Sequence, residues 1–187
     1  MRQTEKGFKS DVETVFAPRL EGGYDGGMVK AVFAGTFDPP TNGHFDIIRR
    51  ADELFDRLDV VLAVNIRKEP LLAADVRKRL LEGEIERMGL KSVRVRMHEG
   101  LIADYCRNEG AGVLVRGIRS AADYDYETEQ AMFNKQLNPD VETVFLAARP
   151  ELSMLRSSSI RVLMSFKGDV SSMVPRSVLE VLEGFSL

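Results

Sequence analysis

The sequence predicts an α/β fold: a Rossmann-like, doubly wound parallel sheet of five strands with flanking helices and a C-terminal helical segment. Three observations predict it. From residue 28 onward, short apolar runs alternate with segments of helical periodicity. The loops that follow the runs collect the glycines, the prolines and a pair of arginines, as expected where α/β sheets bind ligands. The chain has 187 residues, 44% hydrophobic and 29% charged, enough for one domain with a sizeable core.

The elements follow in order. Residues 29–34 form an apolar run that reads as a buried strand. A Gly-Thr-Phe-Asp-Pro-Pro loop leads into a helix over 43–55, with Ile47, Ile48, Ala51, Leu54 and Phe55 on one face. Residues 58–64 read as the second strand, and 65–72 as a polar loop carrying Pro70. Asp75 is the expected cap of a helix reaching about residue 88. A strand over 92–97, a helix over 101–108 and a strand over 113–115 come next. A long helix over 121–136 precedes the last strand, 142–147. Two helices close the chain, from Ser157 and from Pro175, whose fixed φ suits a first helical turn.

Residues 1–27 differ. They are polar and end in EGGYDGG, so they are expected to lie, poorly ordered, outside a domain spanning 28–187. They are either a native extension or a segment before a true start at Met28. The formal net charge of −3 gives no basic field, so no nucleic-acid partner is expected. Cys106 is the single cysteine, which excludes an intrachain disulfide or a CxxC metal site and fits a reducing cytoplasm. No apolar run is long enough to span a bilayer, and the first residues lack a signal-peptide core. A cytoplasmic location is the expectation.

Three segments carry the chemistry. The first, Gly35-Thr36-Phe37-Asp38-Pro39-Pro40-Thr41-Asn42-Gly43-His44, follows the first strand and opens a helix. A glycine there admits close approach of a ligand, the prolines stiffen the turn, and a histidine in a first helical turn can donate to a phosphate. Neither a Walker loop nor a dinucleotide fingerprint has this spacing. The segment resembles the (T/H)xGH signature of the nucleotidyltransferase superfamily, with Thr41, Gly43 and His44 as its core. That resemblance implies in-line attack on an α-phosphorus without a covalent intermediate. It implies that His44 donates to the α-phosphate and that Thr36 touches both substrates.

The second segment, Arg116-Gly117-Ile118-Arg119 with Asp123, Tyr126 and Glu127, reads RGxRxxxDxxYE. Arginine binds phosphate in a planar fork. Together with TNGH it resembles phosphopantetheine adenylyltransferase, over nearly all of the chain after the tail. The resemblance implies transfer of AMP from ATP to 4′-phosphopantetheine, giving dephospho-coenzyme A and pyrophosphate. Arg116 would bind the acceptor phosphate. Phe37, Gly117, Ile118, Arg119 and Glu127 would serve ATP. Lys68 would neutralise phosphate charge, and Leu101, Ile102 and Asn134 would meet the pantetheine arm. Thr36, His44, Lys68 and Arg119 form the implied catalytic set. The family also implies a Mg²⁺ ion held mainly through the ATP phosphates, with no dedicated protein ligands, and a homo-hexamer.

The third segment opens a helix with Leu155-Arg156-Ser157-Ser158-Ser159-Ile160-Arg161. Hydroxyls and free N–H groups at a helix start favour phosphate. It resembles the ISSxxI(K/R) element that holds the ATP β- and γ-phosphates, so Leu152, Ser153, Met154, Leu155, Arg156, Ser157 and Ser158 are the implied contacts. Arg156 replaces the usual Ser or Thr, Val162 stands where a glutamate is frequent, and Leu152 where an aromatic is frequent. Two alternatives stay open: a nucleotidyltransferase for nicotinate mononucleotide or glycerol phosphate, and a non-catalytic nucleotide or coenzyme A sensor.

Overall fold

A computed structural model describes residues 27–64 and 69–184. Five strands, β1 (Lys30–Gly35), β2 (Arg57–Ala63), β3 (Val93–His98), β4 (Val113–Ile118) and β5 (Glu142–Ala147), pair in parallel in the order β3-β2-β1-β4-β5. The helices are α1 (Asn42–Leu54), α2 (Ala74–Arg87), α3 (Ile102–Glu109), α4 (Ala121–Leu137), α5 (Ser157–Ser165) and α6 (Arg176–Glu183). A short 3-10 turn, Pro150–Leu152, lies between β5 and α5. The expected five-stranded Rossmann-like sheet is therefore the observed one.

The pattern of burial explains the strand order. The central strands β1 and β2 are buried on both faces, as their unbroken apolar runs require. At the edge, β3 buries Val93 and Val95 and exposes Arg94 and Arg96, the alternation of a strand covered on one face. One face of the sheet packs Phe33, Val60 and Leu62 with Ile48 and Ala51 of α1 and Leu81 of α2. The opposite face packs Val32, Val61 and Leu114 with Tyr105 and Cys106 of α3. A third cluster, with Leu72, Leu80, Ile160, Val178 and Leu182, fastens α5 and α6 to α2. Asp59 is the buried exception within β2. It accepts from Lys30 Nζ at 2.8 Å and Tyr105 Oη at 2.9 Å, which satisfies a charge that would otherwise be costly to bury.

Several expectations need correction. Leu54 is exposed rather than on the core face of α1, because it is the last helical residue and the chain turns away at Phe55; Phe45 is buried instead. Ala73, not Asp75, occupies the cap of α2, and Asp75 lies in the first turn, where the helix dipole favours its charge. Pro175 is the cap residue of α6, one place before its first turn. Strand β4 continues three residues past Val115, because its ladder with β5 runs on to Ile118 opposite Ala147. Arg116 is thus a strand residue, not a loop residue.

That extension creates the crevice. Strand β1 pairs with β4 only as far as Phe33 opposite Val115, while β1 stays paired with β2 to Gly35. Beyond Val115, β1 and β4 part. The chain order also reverses there, the place where open α/β sheets bind ligands.

Candidate functional site

On leaving β1 the chain makes a tight, unusual turn. Phe37 has a φ of 47° and its side chain is buried, edge-on to Phe33 at 5.6 Å and to His44 at 5.0 Å. A Cβ on Gly35 would lie 3.2 Å from the Phe37 ring, so the glycine makes room for that ring. With its side chain in the core, Phe37 has only its backbone to offer a nucleotide. Thr36 is exposed, and its carbonyl accepts from Arg77 Nη1 at 2.6 Å. Asp38, 6% exposed, accepts from the N–H groups of Leu71 at 2.8 Å and Leu72 at 2.9 Å and faces Arg161 at 3.4 Å.

Helix α1 opens with a reciprocal cap. The His44 N–H donates to Thr41 Oγ1 at 3.3 Å, and the Thr41 N–H donates to His44 Nδ1 at 3.0 Å. Because Nδ1 accepts, the ring proton of the neutral imidazole sits on Nε2. Burial, and then the nearby charge of Arg119, push the imidazole down to about 4. At neutral pH His44 is therefore an uncharged Nε2–H donor.

Arg116 lies across the parting strands. Its Nε and Nη2 donate to Glu127 Oε2 and Oε1 at 2.6 and 2.8 Å, and Nη1 donates to the Ala34 carbonyl at 2.8 Å. Glu127 is the one buried residue of α4. Arg116, Glu127, Asn134, Leu101 and Ile102 line a single cavity of about 260 Å³, with Gln130 and Thr143. The residues expected for the acceptor, apart from Thr36 and Lys68, are thus brought together. Glu127, expected beside the nucleotide, is placed in this cavity as the partner of Arg116. Gly117 has a packing reason: a Cβ there would lie 3.2 Å from Ile47 Cγ1, so the glycine lets α1 lie close on β4.

On the other side of the crevice, Arg119 Nε donates to Asp123 Oδ2 at 2.7 Å and Nη1 to the Leu155 carbonyl at 3.2 Å. Arg156 Nη2 reaches the other oxygen, Asp123 Oδ1, at 3.0 Å. Burial raises the Asp123 carboxyl, but Arg119 and Arg156 outweigh it and hold the group below the usual carboxylate range. Helix α5 starts at Ser157 with Arg156 in the cap position and no side-chain cap bond. Ser157 Oγ donates to the Pro39 carbonyl at 2.9 Å, and a Cβ on Gly43 would lie 3.6 Å from Leu155 Cβ. The first and third segments are therefore in contact. Ser153 turns its hydroxyl onto the Pro150 carbonyl, Leu152 is half-buried, and Met154 and Ser158 are exposed.

Lys68 lies outside the described residues. Asp38 and Asp123 stand within the first two motif segments, but the sequence reading gives them no role. Asp123 had a signal, since a carboxylate four residues after Arg119 on a helix start is a spacing that pairs. A larger open hollow of about 510 Å³ lies between α2 and β3, but none of the motif residues line it.

The sheet order and the crevice at its switch point define an open, doubly wound α/β protein, and residues 32–163 match the cytidylyltransferase-like family. Among curated proteins, the chain is similar to a phosphopantetheine adenylyltransferase from Rubrobacter xylanophilus, 43% identical over 81% of this chain and 92% of that one. One of the same name from Streptococcus agalactiae is 45% identical over 84% of this chain and 97% of that one. Among solved structures, a protein from Vibrio parahaemolyticus assigned as a nicotinate-nucleotide adenylyltransferase shares the fold, with a TM-score of 0.62 at 21% identity over 84% of this chain and 93% of that one. The chain belongs to the phosphopantetheine adenylyltransferase family within that cytidylyltransferase-like class.

Proposed function

We propose that the protein transfers AMP from ATP to 4′-phosphopantetheine, releasing pyrophosphate and dephospho-coenzyme A, by direct in-line attack. The observation that carries the reading is the arrangement of two guanidinium-bearing walls around one crevice. Arg116 faces a cavity with Asn134, Leu101 and Ile102 on one side, and Arg119 stands with His44 and the start of α5 on the other.

An acceptor phosphate oxygen forms a bond to the α-phosphorus while the bond to the β-phosphate bridge breaks and pyrophosphate leaves. The acceptor phosphate is ionised at neutral pH, so no general base is needed. The protein contributes positioning and charge stabilisation. His44 donates from Nε2 to a non-bridging α-phosphate oxygen as charge grows there. Its lowered pKa keeps it neutral, so donation does not depend on pH near 7. Arg116 holds the acceptor phosphate with the N–H groups that Glu127 and Ala34 leave free. Arg119 and the uncapped start of α5 serve the nucleotide, and Lys68 is assigned charge neutralisation by the family likeness.

A Mg²⁺ ion fits this donor set only through the substrate. Asp38 and Asp123, the carboxylates of the nucleotide wall, are already held by N–H groups and arginines, so its ligands would come from phosphate oxygens and water. When bound, it screens the charge of the triphosphate. A homo-hexamer and a cytoplasmic location belong to the same reading. Among the described residues, no helix is long and apolar enough to cross a membrane. The test is pyrophosphate release from ATP or CTP with 4′-phosphopantetheine, nicotinate mononucleotide and glycerol phosphate as acceptors. Turnover confined to ATP with phosphopantetheine supports the proposal, and release with another pair overturns the acceptor.

A further inference from the structure

Strand β3 ends at His98, and only residues 99–101 separate it from α3. Gly100 has a φ of 121°, a conformation that strains any residue with a side chain, so the turn depends on glycine. The His98 imidazole closes this turn. Its Nε2 donates to the Leu101 carbonyl at 3.2 Å; the ring is the donor because a carbonyl only accepts. The imidazole is itself held. It meets the Tyr105 ring edge to face, with centroids 5.2 Å apart, and Tyr105 Oη donates to the buried Asp59 at 2.9 Å. The Val64 N–H donates to the His98 carbonyl at 3.0 Å.

The turn carries one edge of the cavity that holds Arg116. Gly100, Leu101 and Ile102 line that cavity together with Arg116, Leu114 and Asn134. A guanidinium among aliphatic and amide side chains suits a ligand with an anionic end and a long, mostly apolar arm. Leu101 is 53% exposed, so packing alone does not fix it and its place follows from its backbone. His98 does not line the cavity; it acts from behind the edge. The Leu101 carbonyl, at the cap of α3, already accepts the Asp104 and Tyr105 N–H groups at 3.1 and 3.2 Å. It is satisfied without His98, so a fold-stabilising role is a weak explanation for the imidazole contact. What the contact adds is a fixed orientation for Leu101.

We propose that His98 is a positioning residue for the acceptor: by donating to the Leu101 carbonyl it holds the Gly100–Leu101 turn, and with it the apolar edge of the Arg116 cavity, in the form that receives the acceptor's arm. The inference rests on the reading of phosphopantetheine as the ligand of that cavity. Its main consequence is a separation of effects. Loss of the donor loosens the edge and weakens use of the acceptor, whereas the nucleotide, placed on the other side of the crevice, is untouched.

Steady-state kinetics of the full chain, with phosphopantetheine and ATP varied in turn, tests this. His98→Ala and His98→Phe should each raise KM for phosphopantetheine about 5-fold, the scale of one neutral hydrogen bond. Both should leave kcat and the KM for ATP within about 2-fold of the parent. His98→Phe is the sharper variant, because it keeps a ring beside Tyr105 and loses only the donor. His98→Gln, whose side-chain amide can donate to the same carbonyl, should return the acceptor KM to within about 2-fold of the parent. Gly100→Ala, which strains the turn directly, should raise the same KM about 10-fold. Melting temperatures of the His98 variants should stay within about 2 °C of the parent. An unchanged acceptor KM in His98→Phe overturns the proposal. So does an equal rise in both KM values, or a His98→Gln variant no better than His98→Ala. The acceptor is checked separately on the parent: turnover with a different acceptor sinks that reading, and the His98 variants are then judged on the acceptor the parent uses.

Discussion

The two walls of the crevice are built differently. On the wall proposed for the acceptor, Arg116 is a strand residue held by three hydrogen bonds, two of them to a buried glutamate on the helix packed behind it. On the wall proposed for the nucleotide, the groups come from three separate chain segments, at the starts of α1, α4 and α5, and several of them are open to water. The Arg116 side chain is therefore already held in place by its own contacts. The nucleotide wall relies on short cross-loop contacts, such as Ser157 to Pro39 and Arg119 to Leu155, to hold its parts in register. Preorganised donors act most strongly where charge develops, and His44, fixed by its reciprocal cap with Thr41, is the group of this wall to which that role is proposed.

The largest expected effect tests that last statement. His44→Ala should lower kcat by roughly 10²–10³-fold while the ATP dissociation constant changes little, as for the loss of a donor used mainly in the transition state. Single-turnover kinetics beside equilibrium titration separates the two. Near-normal turnover would move the catalytic role elsewhere.

A smaller effect sharpens the role of the acceptor wall. Glu127→Ala frees Arg116 from its side-on pair and should reduce kcat/KM for phosphopantetheine about 10-fold, leaving KM for ATP within about 2-fold. If Glu127 instead contacts the nucleotide, the larger change falls on ATP. Steady-state kinetics with each substrate varied in turn decides between them.

The pH dependence of the nucleotide wall is smaller still. The folded pKa of His44, about 4, lies below its ordinary value of 6.5, so the unfolded chain binds the proton more readily between these limits. The stability contributed by His44 is fully present above about pH 6.5 and falls as pH drops towards 4. Chemical denaturation at several pH values should show this fall, and His44→Gln should remove that part of it. Activity should show no histidine titration between about pH 6 and 8 from this residue.

The smallest effect belongs to the segment before both walls. The curated relatives are covered over 92% and 97% of their own lengths while only 81% and 84% of this chain is used. Starting the chain at Met28 should therefore leave pyrophosphate release within about 2-fold of the parent. A larger loss would show that residues 1–27 support the domain.

Much of this was readable from the sequence, for identifiable reasons. The strands β1, β2 and β5 announce themselves because apolar runs of that length fit a buried parallel strand. The reciprocal cap of α1 was legible because His44 stands three places after Thr41, the spacing at which the two residues cap each other. The extension of β4 was not, because Arg116 and Gly117 break the apolar run and the pairing with β5 that keeps them in the strand is a long-range fact. The packing reason for Gly117 depends on Ile47, seventy residues earlier, and the pairing of Glu127 with Arg116 depends on how α4 lies on the sheet. Local pattern cannot report either.

The Asp38 carboxylate has a consequence for exchange with solvent. Its two oxygens accept the amides of Leu71 and Leu72, residues that belong to no helix or strand, and Leu72 is fully buried. Amides in a connection of that kind normally swap hydrogen for deuterium quickly. These two should instead be protected to nearly the level of the sheet, and the protection should fall in Asp38→Ala while that of β3 is unchanged. The turn after β1 would then set how firmly the far end of the connection after β2 is closed, so a single side chain couples the breathing of two loops that meet at the nucleotide wall.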